Sequence, residues 1–417
     1  MNRPTVLLSL DWRRPKDPKT GLGTASIAAA LHANNVPTQV VYDHVNREGF
    51  SVSDVRRRLG LAIAAAGPDC LVGIGAFVWN EPEVQALLPW LREQGVRIVL
   101  GGPQVSYCGP GQPEQEYPGV YAFVRGHGEQ GMVDLATGRG ATPSNGVHVV
   151  GQADANHKAR LELGTLASPH LDGTTPTQPF VRWETQRGCQ FKCSFCQHRD
   201  ANAVYKRQLM NQDRLFAELE LFARAGVERI AVLDPIFHSD EGHAVAILEH
   251  ARRVGFTGTL SLQCRFEMLT PAFLDACQGV DVELEFGLQT TIAAEGQAVK
   301  RANNMPKVSD AIDMLHARNM PFEVSLIYGL PTQTLASFRQ SVQWCLDHGV
   351  PVIDAWPLML LRGTPLHAQQ AKFGLVESTD TRIPIVVQSD TFSRADHDEM
   401  ARIAASLQHR NDLRVAA

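Results

Sequence analysis

The sequence predicts an α/β protein with two domains, an N-terminal doubly wound Rossmann-like domain and a following partial (β/α)6 barrel of the TIM type. Three observations support this. The chain has 417 residues, whereas single hydrophobic cores usually stop growing at about 250 to 300 residues. Short apolar strands alternate with helical stretches, which is typical of parallel sheets covered by helices. A polar stretch interrupts this alternation once, between about residues 141 and 178.

The first domain is predicted over residues 1–140. Its strand-like runs are TVLLSL, VPTQVVYD, CLVGIGAF, VRIVLGG and VYAFVRG, and helix-like spans such as 24–34 and 82–95 separate them. Glycine-rich turns follow several of these strands. In open parallel sheets, ligands bind beyond the carboxyl ends of the strands, near the point where the strand order reverses.

The stretch 141–178 is rich in Thr, Ser, Pro and Gly and is predicted to be a linker that is ordered against its neighbours. The barrel is predicted over 179–380, and 381–417 is predicted to be a short C-terminal helix and tail. Six strand-like runs mark the barrel, namely VRWETQ, RIAVLDPIF, TLSLQCRF, DVELEFGLQ, FEVSLIYGLP and VIDAWPLML. Helical segments at 212–225, 240–254, 307–318 and 334–348 separate them, so we expect functional residues at the strands' carboxyl ends.

Composition excludes several classes of function. The chain is 44% hydrophobic and 20% charged, with a net charge of −5 and no basic block, so nucleic acid is not expected as the main partner. No apolar run approaches the roughly 20 residues of a membrane span. The N-terminus lacks the features of a secretory signal, so we expect a cytoplasmic protein. Eight cysteines in so long a cytoplasmic chain do not form a disulfide framework.

The segment RGCQFKCSFCQHR, residues 187–199, places Cys189, Cys193 and Cys196 within eight residues. Packing alone is a poor explanation for three clustered thiols. A disulfide would leave one thiol over, and the expected compartment disfavours it. A structural zinc site remains an alternative, with a fourth ligand such as His198 supplied nearby.

Three thiolates on a loop after a strand suit an iron–sulfur cluster in which one iron keeps an open coordination position. Gly188 allows the loop to turn closely past the cluster. Three basic residues would offset the negative charge of the cluster, and Phe195 would shield it from water. The basic residues are Arg187, Lys192 and Arg199.

The segment ETQRGCQFKCSFC resembles the signature of the radical S-adenosylmethionine (SAM) superfamily. The resemblance implies a [4Fe-4S] cluster whose open iron binds SAM and whose electron cleaves SAM to a 5′-deoxyadenosyl radical. It also implies SAM contacts at the ends of later strands. The segments concerned are LDP, which replaces the family's Gly-Gly-Glu, SLQCRFEMLT, ELEFGLQT and LIYGLPTQT. The SAM-binding residues that the resemblance implies are Phe195, Asp234, Arg265, Glu267, Glu285, Gln289, Gly329 and Pro331.

The first 140 residues resemble the N-terminal cobalamin-binding domain of one radical SAM branch. The similarity rests on VLLSL, VGIGAFVWNE, VLGGPQVSY and FVRGHGEQ, where His127 departs from the family's R-G-E-G-E. It contains no D-x-H-x-x-G motif, because Asp43 and His44 are adjacent, so a histidine-ligated corrin is not expected. If cobalamin is bound, the implied contacts are Trp12, Phe77, Val78, Gly101, Gly102, Pro103, Gln104, Gly126 and Glu129. The alternative is a domain that keeps the fold without the corrin.

The resemblance implies an enzyme that modifies a small molecule of the natural-product type, with cobalamin-dependent methyl transfer as the first reading. One alternative is cobalamin-independent transfer of the 3-amino-3-carboxypropyl group of SAM, as in arsenic modification of the arsinothricin type. That reading would need a free thiol near the site, and Cys264 is the candidate. A redox sensor is the alternative that is not an enzyme. The expected partners are a small-molecule substrate and a flavodoxin or ferredoxin as electron donor, and the expected oligomeric state is a monomer.

Overall fold

A computed structural model describes residues 2–14, 20–142, 144–198 and 207–415, with side chains up to Asn411. The chain divides into two compact units, Met1–Val181 and Arg182–Ala417. Arg199 lies outside the described residues, so its predicted role at the cysteine motif stays a prediction. None of the helices in the described ranges combines the length and apolar composition that a membrane crossing requires.

The first unit alternates strands and helices in chain order. Its strands are β1 (Thr5–Asp11), β2 (Thr38–His44), β3 (Leu71–Gly75), β4 (Arg97–Gly101), β5 (Ala122–Val124) and β6 (Val147–Val149). Its helices are α1 (Leu22–Ala33), α2 (Val52–Ala66), α3 (Glu81–Glu93), α4 (Pro103–Ser106), α5 (Gln112–Glu116) and α6 (Gly128–Thr137).

The first sheet has the order β2-β1-β3-β4-β5-β6, and its first five strands are parallel. The chain moves outward from β1 to β2, then returns to pair β3 with the other side of β1. The order therefore reverses between β1 and β3, which is where doubly wound sheets bind ligands. The predicted doubly wound architecture is confirmed.

Both faces of this sheet are covered. Along β1, Val6 and Leu8 join a buried cluster that includes Leu59 of α2 and Leu87 of α3. Leu7, between them in sequence, joins a separate buried cluster with residues of α1 and α6. Adjacent residues of a strand point to opposite faces, and a strand buried on both faces needs an uninterrupted apolar run, which explains the sequence TVLLSL.

The segment 141–178 contributes to the first sheet. Its strand β6, which sequence analysis did not predict, pairs antiparallel with β5. Asp154 of this segment forms a salt bridge with Arg125, which is 1% exposed and follows β5. The second bond of this pair, from Arg125 Nη2 to Asp154 Oδ2, measures 2.9 Å. A buried ion pair fixes this segment in a way that no local pattern of Thr, Ser and Pro reveals.

The second unit contains the strands β7 (Phe180–Trp183), β8 (Gln186–Arg187), β9 (Gln208–Leu209), β10 (Arg229–Val232), β11 (Thr259–Cys264), β12 (Val282–Gln289), β13 (Phe322–Tyr328), β14 (Val352–Pro357), β15 (Val376–Glu377) and β16 (Val386–Gln388). Its helices are α7 (Gln212–Arg224), α8 (Glu241–Arg253), α9 (Pro271–Cys277), α10 (Ala293–Ala298), α11 (Met305–Ala317), α12 (Leu335–Asp347), α13 (Pro365–Ala368) and α14 (Arg394–Val415).

The second large sheet has its strands in chain order, β7-β10-β11-β12-β13-β14, and β10 to β14 pair in parallel. This is the strand sequence of the predicted partial (β/α)6 barrel. Along β12 and β13, buried residues alternate with half-buried ones. One face of these strands is therefore packed, and the other is open enough to line a site.

The C-terminal helix is longer than the short helix that sequence analysis predicted, since α14 runs for 22 residues and packs along β14. Its Asn411 donates from Nδ2 to the carbonyl of Ile353 at 3.1 Å, and the Ile353 amide donates to Asn411 Oδ1 at 3.4 Å. The amide of Asn411 thus satisfies backbone groups at the outer edge of the sheet, which would otherwise be open to pairing.

Candidate functional site

The three cysteines of the motif lie on an irregular loop after β8. Cys189, Cys193 and Cys196 are half-buried, and none of them forms a disulfide. Gly188 has a φ of +94°, a conformation that favours glycine and turns the chain into the loop. The loop therefore presents three thiols that are not in disulfides and that are only partly buried.

Backbone hydrogen bonds hold this loop from two sides. The Ser194 amide donates to the carbonyl of Val299 at 2.8 Å, and the Ser194 carbonyl accepts from the Leu366 amide at 2.9 Å. Gln197 Nε2 donates to the carbonyl of Arg362 at 2.9 Å. The segment after α10 and the start of α13 therefore fix the loop between the second and third cysteines.

Asp234, a predicted SAM contact, supports the strands that lead into the loop. Its carboxylate is fully buried and accepts hydrogen bonds from the Thr185 amide at 2.8 Å, the Thr185 hydroxyl and the Gln186 amide at 3.2 Å. Burial raises the pKa of Asp234 to about 7. Because the carboxylate is enclosed by these groups, any contact of this segment with SAM must come from other atoms.

Two arginines flank the cysteine loop. The Arg265 guanidinium lies 3.8 Å from the centroid of the Phe191 ring and donates from Nε to Glu267 at 3.0 Å. Arg301 donates to the carbonyl of Gly287, and its charge attracts the thiol of Cys193. Burial raises the pKa of Cys189, and the positive charges of Arg301 and Arg265 oppose that rise. These two charges therefore favour the thiolate form of Cys189.

Arg301 was not among the predicted site residues, because a lone arginine in a loop matches no motif. Arg301 is 8% exposed, and its Nε is buried without an acceptor among the described residues. Arg187, which sequence analysis placed near a cluster, forms an ion pair with Glu184 at 2.9 Å. The predicted basic residue Lys192 is exposed. Half-buried Phe195 lies between the second and third cysteines, and its shielding role stays a prediction.

The residues of the loop fit an iron–sulfur cluster. Three accessible thiols on one loop are the donor set that such clusters take, and two nearby arginines would offset a cluster's negative charge. Among the described residues, no three His, Cys, Asp or Glu side chains converge closely enough to hold a single metal ion. The fit rests on the chemistry of the thiols and on the charges around them.

Strand β12 carries two more predicted SAM contacts, Glu285 near its middle and Gln289 at its carboxyl end. Glu285 accepts hydrogen bonds from Ser261 and Gln263 of the neighbouring strand. Gln289 has a φ of +71°, a strained conformation for a residue that is not glycine, and the register with β13 shifts between Gly287 and Gln289. A bulge of this kind redirects side chains at a strand end, often beside a functional site.

The predicted adenine turn after β13 is buried. Gly329 has a φ of +90°, and both Gly329 and Pro331 lie inside the fold. The Gly329 amide donates to Gln333 Oε1 at 2.7 Å. The turn is thus held from within, so its backbone is better placed than its side chains for contact with a ligand.

Cys264 is 5% exposed, and burial raises its pKa well above the usual value. A buried thiol with a raised pKa is a packing residue and a poor nucleophile. The thiol that the aminocarboxypropyl alternative required is therefore not presented at this strand end.

In the first unit, the predicted corrin contacts at the switch point come together. Trp12 follows β1, whereas Phe77 and Val78 follow β3, and all three are half-buried. The Phe77 ring stacks on Trp79 with centroids 4.5 Å apart, and Trp79 Nε1 donates to the carbonyl of Leu10 at 3.2 Å. Aromatic surface is thus held at the carboxyl ends of β1 and β3, as a flat apolar ligand would require.

The turn after β4 requires glycine. Gly102 has a φ of +86°, and a Cβ there would lie 2.6 Å from the carbonyl oxygen of Ala76. Gly101 and Pro103 on either side are half-buried, whereas Gln104 is 9% exposed and donates to Glu81. The backbone can therefore approach a ligand closely here, but the Gln104 side chain is engaged inside the unit.

The predicted corrin contacts after β5 also include one exposed residue and one buried residue. Gly126 is exposed at the strand end, whereas Glu129 is 4% exposed and accepts from Ser26 of α1 at 2.9 Å. His127, where the family has Glu, accepts a hydrogen bond at Nδ1 from the Leu161 amide at 3.1 Å. The predicted corrin contact of Glu129 is therefore not available to its carboxylate, which is turned into the fold.

The chain thus combines two units of parallel α/β structure with a three-thiol loop after the first strands of the second unit. Residues 183–345 match the Radical SAM superfamily. The resemblance noted from the cysteine motif is confirmed by this match.

Similarity to characterised proteins extends into the first unit. The chain is 27% identical over 333 residues to the cobalamin-dependent radical SAM methyltransferase TokK of Streptomyces tokunonensis, covering 73% of this chain and 48% of TokK. It is 26% identical to the 2-(S-pantetheinyl)-carbapenam-3-carboxylate methyltransferase of Streptantibioticus cattleyicolor, covering 69% of this chain and 46% of that enzyme. The chain thus spans about half the length of these curated relatives.

A solved structure shares the whole fold. The radical SAM methyltransferase TsrM from Kitasatospora setae, solved with cobalamin and a [4Fe-4S] cluster, superposes with a TM-score of 0.72. The match covers 96% of this chain and 85% of TsrM at 17% sequence identity. The arrangement of a Rossmann-like unit followed by a radical SAM barrel is therefore shared.

Proposed function

We propose that this protein is a cobalamin-dependent radical SAM methyltransferase that acts on a small molecule of the natural-product type. The observation that carries the proposal is the loop of Cys189, Cys193 and Cys196, accessible and flanked by Arg265 and Arg301 within a radical SAM domain. Its relatives TokK and the carbapenam methyltransferase support methyl transfer as the reaction.

In this proposal the three cysteines hold a [4Fe-4S] cluster, and the strand ends around them orient SAM. When bound, the cluster supplies the electron that cleaves SAM, and cobalamin carries the methyl group. Arg301 binds the SAM carboxylate, because its buried Nε still needs an acceptor and arginine binds carboxylates with two donors. Arg265, held by Glu267 and the Phe191 ring, keeps a second positive charge beside the loop.

The first unit is the proposed cobalamin platform. Trp12 and Phe77 lie at the switch point of the first sheet, where such sheets bind ligands. Gly102 lets the backbone approach the ligand without the steric block of a Cβ. The same proposal includes a cytoplasmic monomer that takes electrons from a flavodoxin or ferredoxin.

The test is an anaerobic assay of the protein reconstituted with iron, sulfide and hydroxocobalamin. After reduction with dithionite and addition of SAM, we expect 5′-deoxyadenosine above background and a corrin absorption band that survives desalting. A cluster without a retained corrin would exclude the methyltransferase. Failure to form any SAM cleavage product would exclude a radical SAM enzyme altogether.

A further inference from the structure

A buried carboxylate connects two of the candidate SAM-binding segments. Glu295 of α10 is 1% exposed and has three donors around it. The hydroxyls of Thr290 and Ser337 donate to it, and Gln333 Nε2 donates at 3.3 Å. Donors from two separate segments, the end of β12 and the turn that leads into α12, therefore meet at one side chain.

On one side, this network reaches the end of β12. Thr290 follows Gln289, whose φ of +71° is strained. Asn303 Nδ2 donates to the carbonyls of both Leu288 and Thr290, at 2.8 and 2.9 Å. A strained residue persists only where its surroundings hold it, and here the flanking groups are held by Asn303 and Glu295.

On the other side, the network reaches the turn after β13. Gln333 is fully buried and accepts at Oε1 from the amides of Gly329 and Leu330, at 2.7 and 3.2 Å. Its Nε2 donates to the carbonyl of Ile327 at 3.1 Å as well as to Glu295. The side-chain amide of Gln333 therefore stabilises the turn from inside the fold, and Glu295 holds that amide in place.

We propose that Glu295 is a positioning residue that couples the Gln289 strand end to the Gly329–Pro331 turn, so that both sides of the adenosine part of SAM are bound by one hydrogen-bonded unit. The inference rests on the proposed function, which places SAM at these segments. Glu295 itself lies inside the fold and contacts no ligand. Its effect is therefore on the nucleoside part of SAM and not on the amino-acid part, which binds at the cluster and Arg301.

The experiment compares two fragments of SAM on the reconstituted protein by anaerobic calorimetry. Methylthioadenosine probes the nucleoside part, and methionine probes the amino-acid part. In Glu295→Gln, one oxygen acceptor becomes an amide donor that faces other donors, so the network loses at least one hydrogen bond. We expect the Kd of methylthioadenosine to rise about tenfold, the effect of one lost buried hydrogen bond, and the Kd of methionine to change less than twofold.

The matched control is Glu218→Gln, because Glu218 is also a fully buried carboxylate, and its donors include Trp183 and Arg214, which belong to neither segment. Its Kd for methylthioadenosine should equal that of the wild type. Thr290→Val, which removes one donor and keeps the side-chain shape, should reproduce the selective loss and serves if Glu295→Gln does not fold.

An unchanged Kd for methylthioadenosine in Glu295→Gln and Thr290→Val overturns the inference. Equal weakening of both fragments, or equal effects in Glu218→Gln, also overturns it, because a general loss of stability would then be the cause. If the wild type binds neither fragment, the proposed function fails first, and the inference fails with it.

Discussion

At the scale of single residues, the site depends on positively charged side chains that lie close to a cysteine thiol. Partial burial raises the pKa of the Cys189 thiol, and the positive charges of Arg301 and Arg265 oppose that rise. The other described cysteines, such as Cys345, are buried, and burial raises the pKa of Cys345 to about 12. Accessibility therefore separates the three motif cysteines from the packing cysteines.

Substituting Cys193 with alanine removes one of the three thiolates. We expect Cys193→Ala to lose most of the iron and sulfide and the visible absorption of the cluster after reconstitution, because a cluster with one ligand fewer is held weakly. The measurements are metal analysis and the visible spectrum.

Cys345→Ala is the matched control, since it removes a fully buried thiol in the same unit, and it should retain iron at the wild-type level. One equivalent of zinc without iron in the wild type would contradict the cluster assignment and support the structural zinc alternative.

The limits of sequence interpretation are clearest at this scale. Cys189, Cys193 and Cys196 were found because their spacing is local. Arg301 and Glu295 were missed because each acts on residues far away in the chain, Arg301 on Cys193 and Glu295 on Gln333. Asp234 was found as a strand-end residue, but only the folded structure shows that its carboxylate faces Thr185.

At the scale of elements, apolar runs and glycine turns predicted the strands that build both sites. The predicted helices 212–225 and 334–348 correspond to α7 and α12, and Asn211 and Thr334 cap their N-termini. Strand β6 was missed because three residues in a polar stretch carry no periodic signal. The length of α14 was underestimated because its polar sequence has only a narrow apolar stripe.

The turn after β4 allows a prediction at this scale. We expect Gly102→Ala to lose cobalamin on desalting while its iron content stays near that of the wild type. The added Cβ would press on the Ala76 carbonyl and displace the turn that the corrin would contact. The visible corrin band and iron analysis on one sample provide the measurement.

Gly111→Ala is the control for backbone strain alone, because Gly111 has a φ of +71° and no atom within 4 Å of an added Cβ. It should keep the corrin. Equal loss of cobalamin in both variants would show that strain, and not the close approach at Gly102, is responsible.

At the scale of the whole molecule, each unit places its candidate residues at the carboxyl ends of parallel strands. In the first unit the order β2-β1-β3 creates the switch point beside Trp12 and Phe77. In the second unit the strands follow chain order, so successive motifs lie side by side. Motifs that follow one another in the sequence of the second unit therefore lie next to one another at one edge of its sheet.

Global stability should depend on pH through Asp234. Folded Asp234 keeps its proton up to about pH 7, whereas the unfolded residue loses it near pH 3.8. Folding therefore binds a proton between these values, and this group makes the folded state less stable as pH rises from about 4 to about 7. Asp234→Asn cannot lose this proton, so its free energy of unfolding should rise by roughly 1 to 4 kcal/mol relative to that of the wild type across this pH range.

Urea unfolding of both proteins at about pH 5 and pH 8 measures the difference. Asp310→Asn, at an exposed position of α11, is the control and should follow the wild type. If the free energy of unfolding changes equally with pH in the wild type and in Asp234→Asn, the buried carboxyl does not titrate in this range.

The sequence by itself determined the two-part α/β architecture and the cysteine motif. Strand-like runs, helix periodicity and close cysteine spacing can all be recognised within short stretches of the chain. Only the tertiary structure decided which polar side chains are available to a ligand. Asp234 and Glu129 are turned inward, whereas Arg301 and Glu295 acquire their roles from partners brought together by folding. The reason is that burial and hydrogen-bond partners are properties of packed surfaces, which local sequence does not encode.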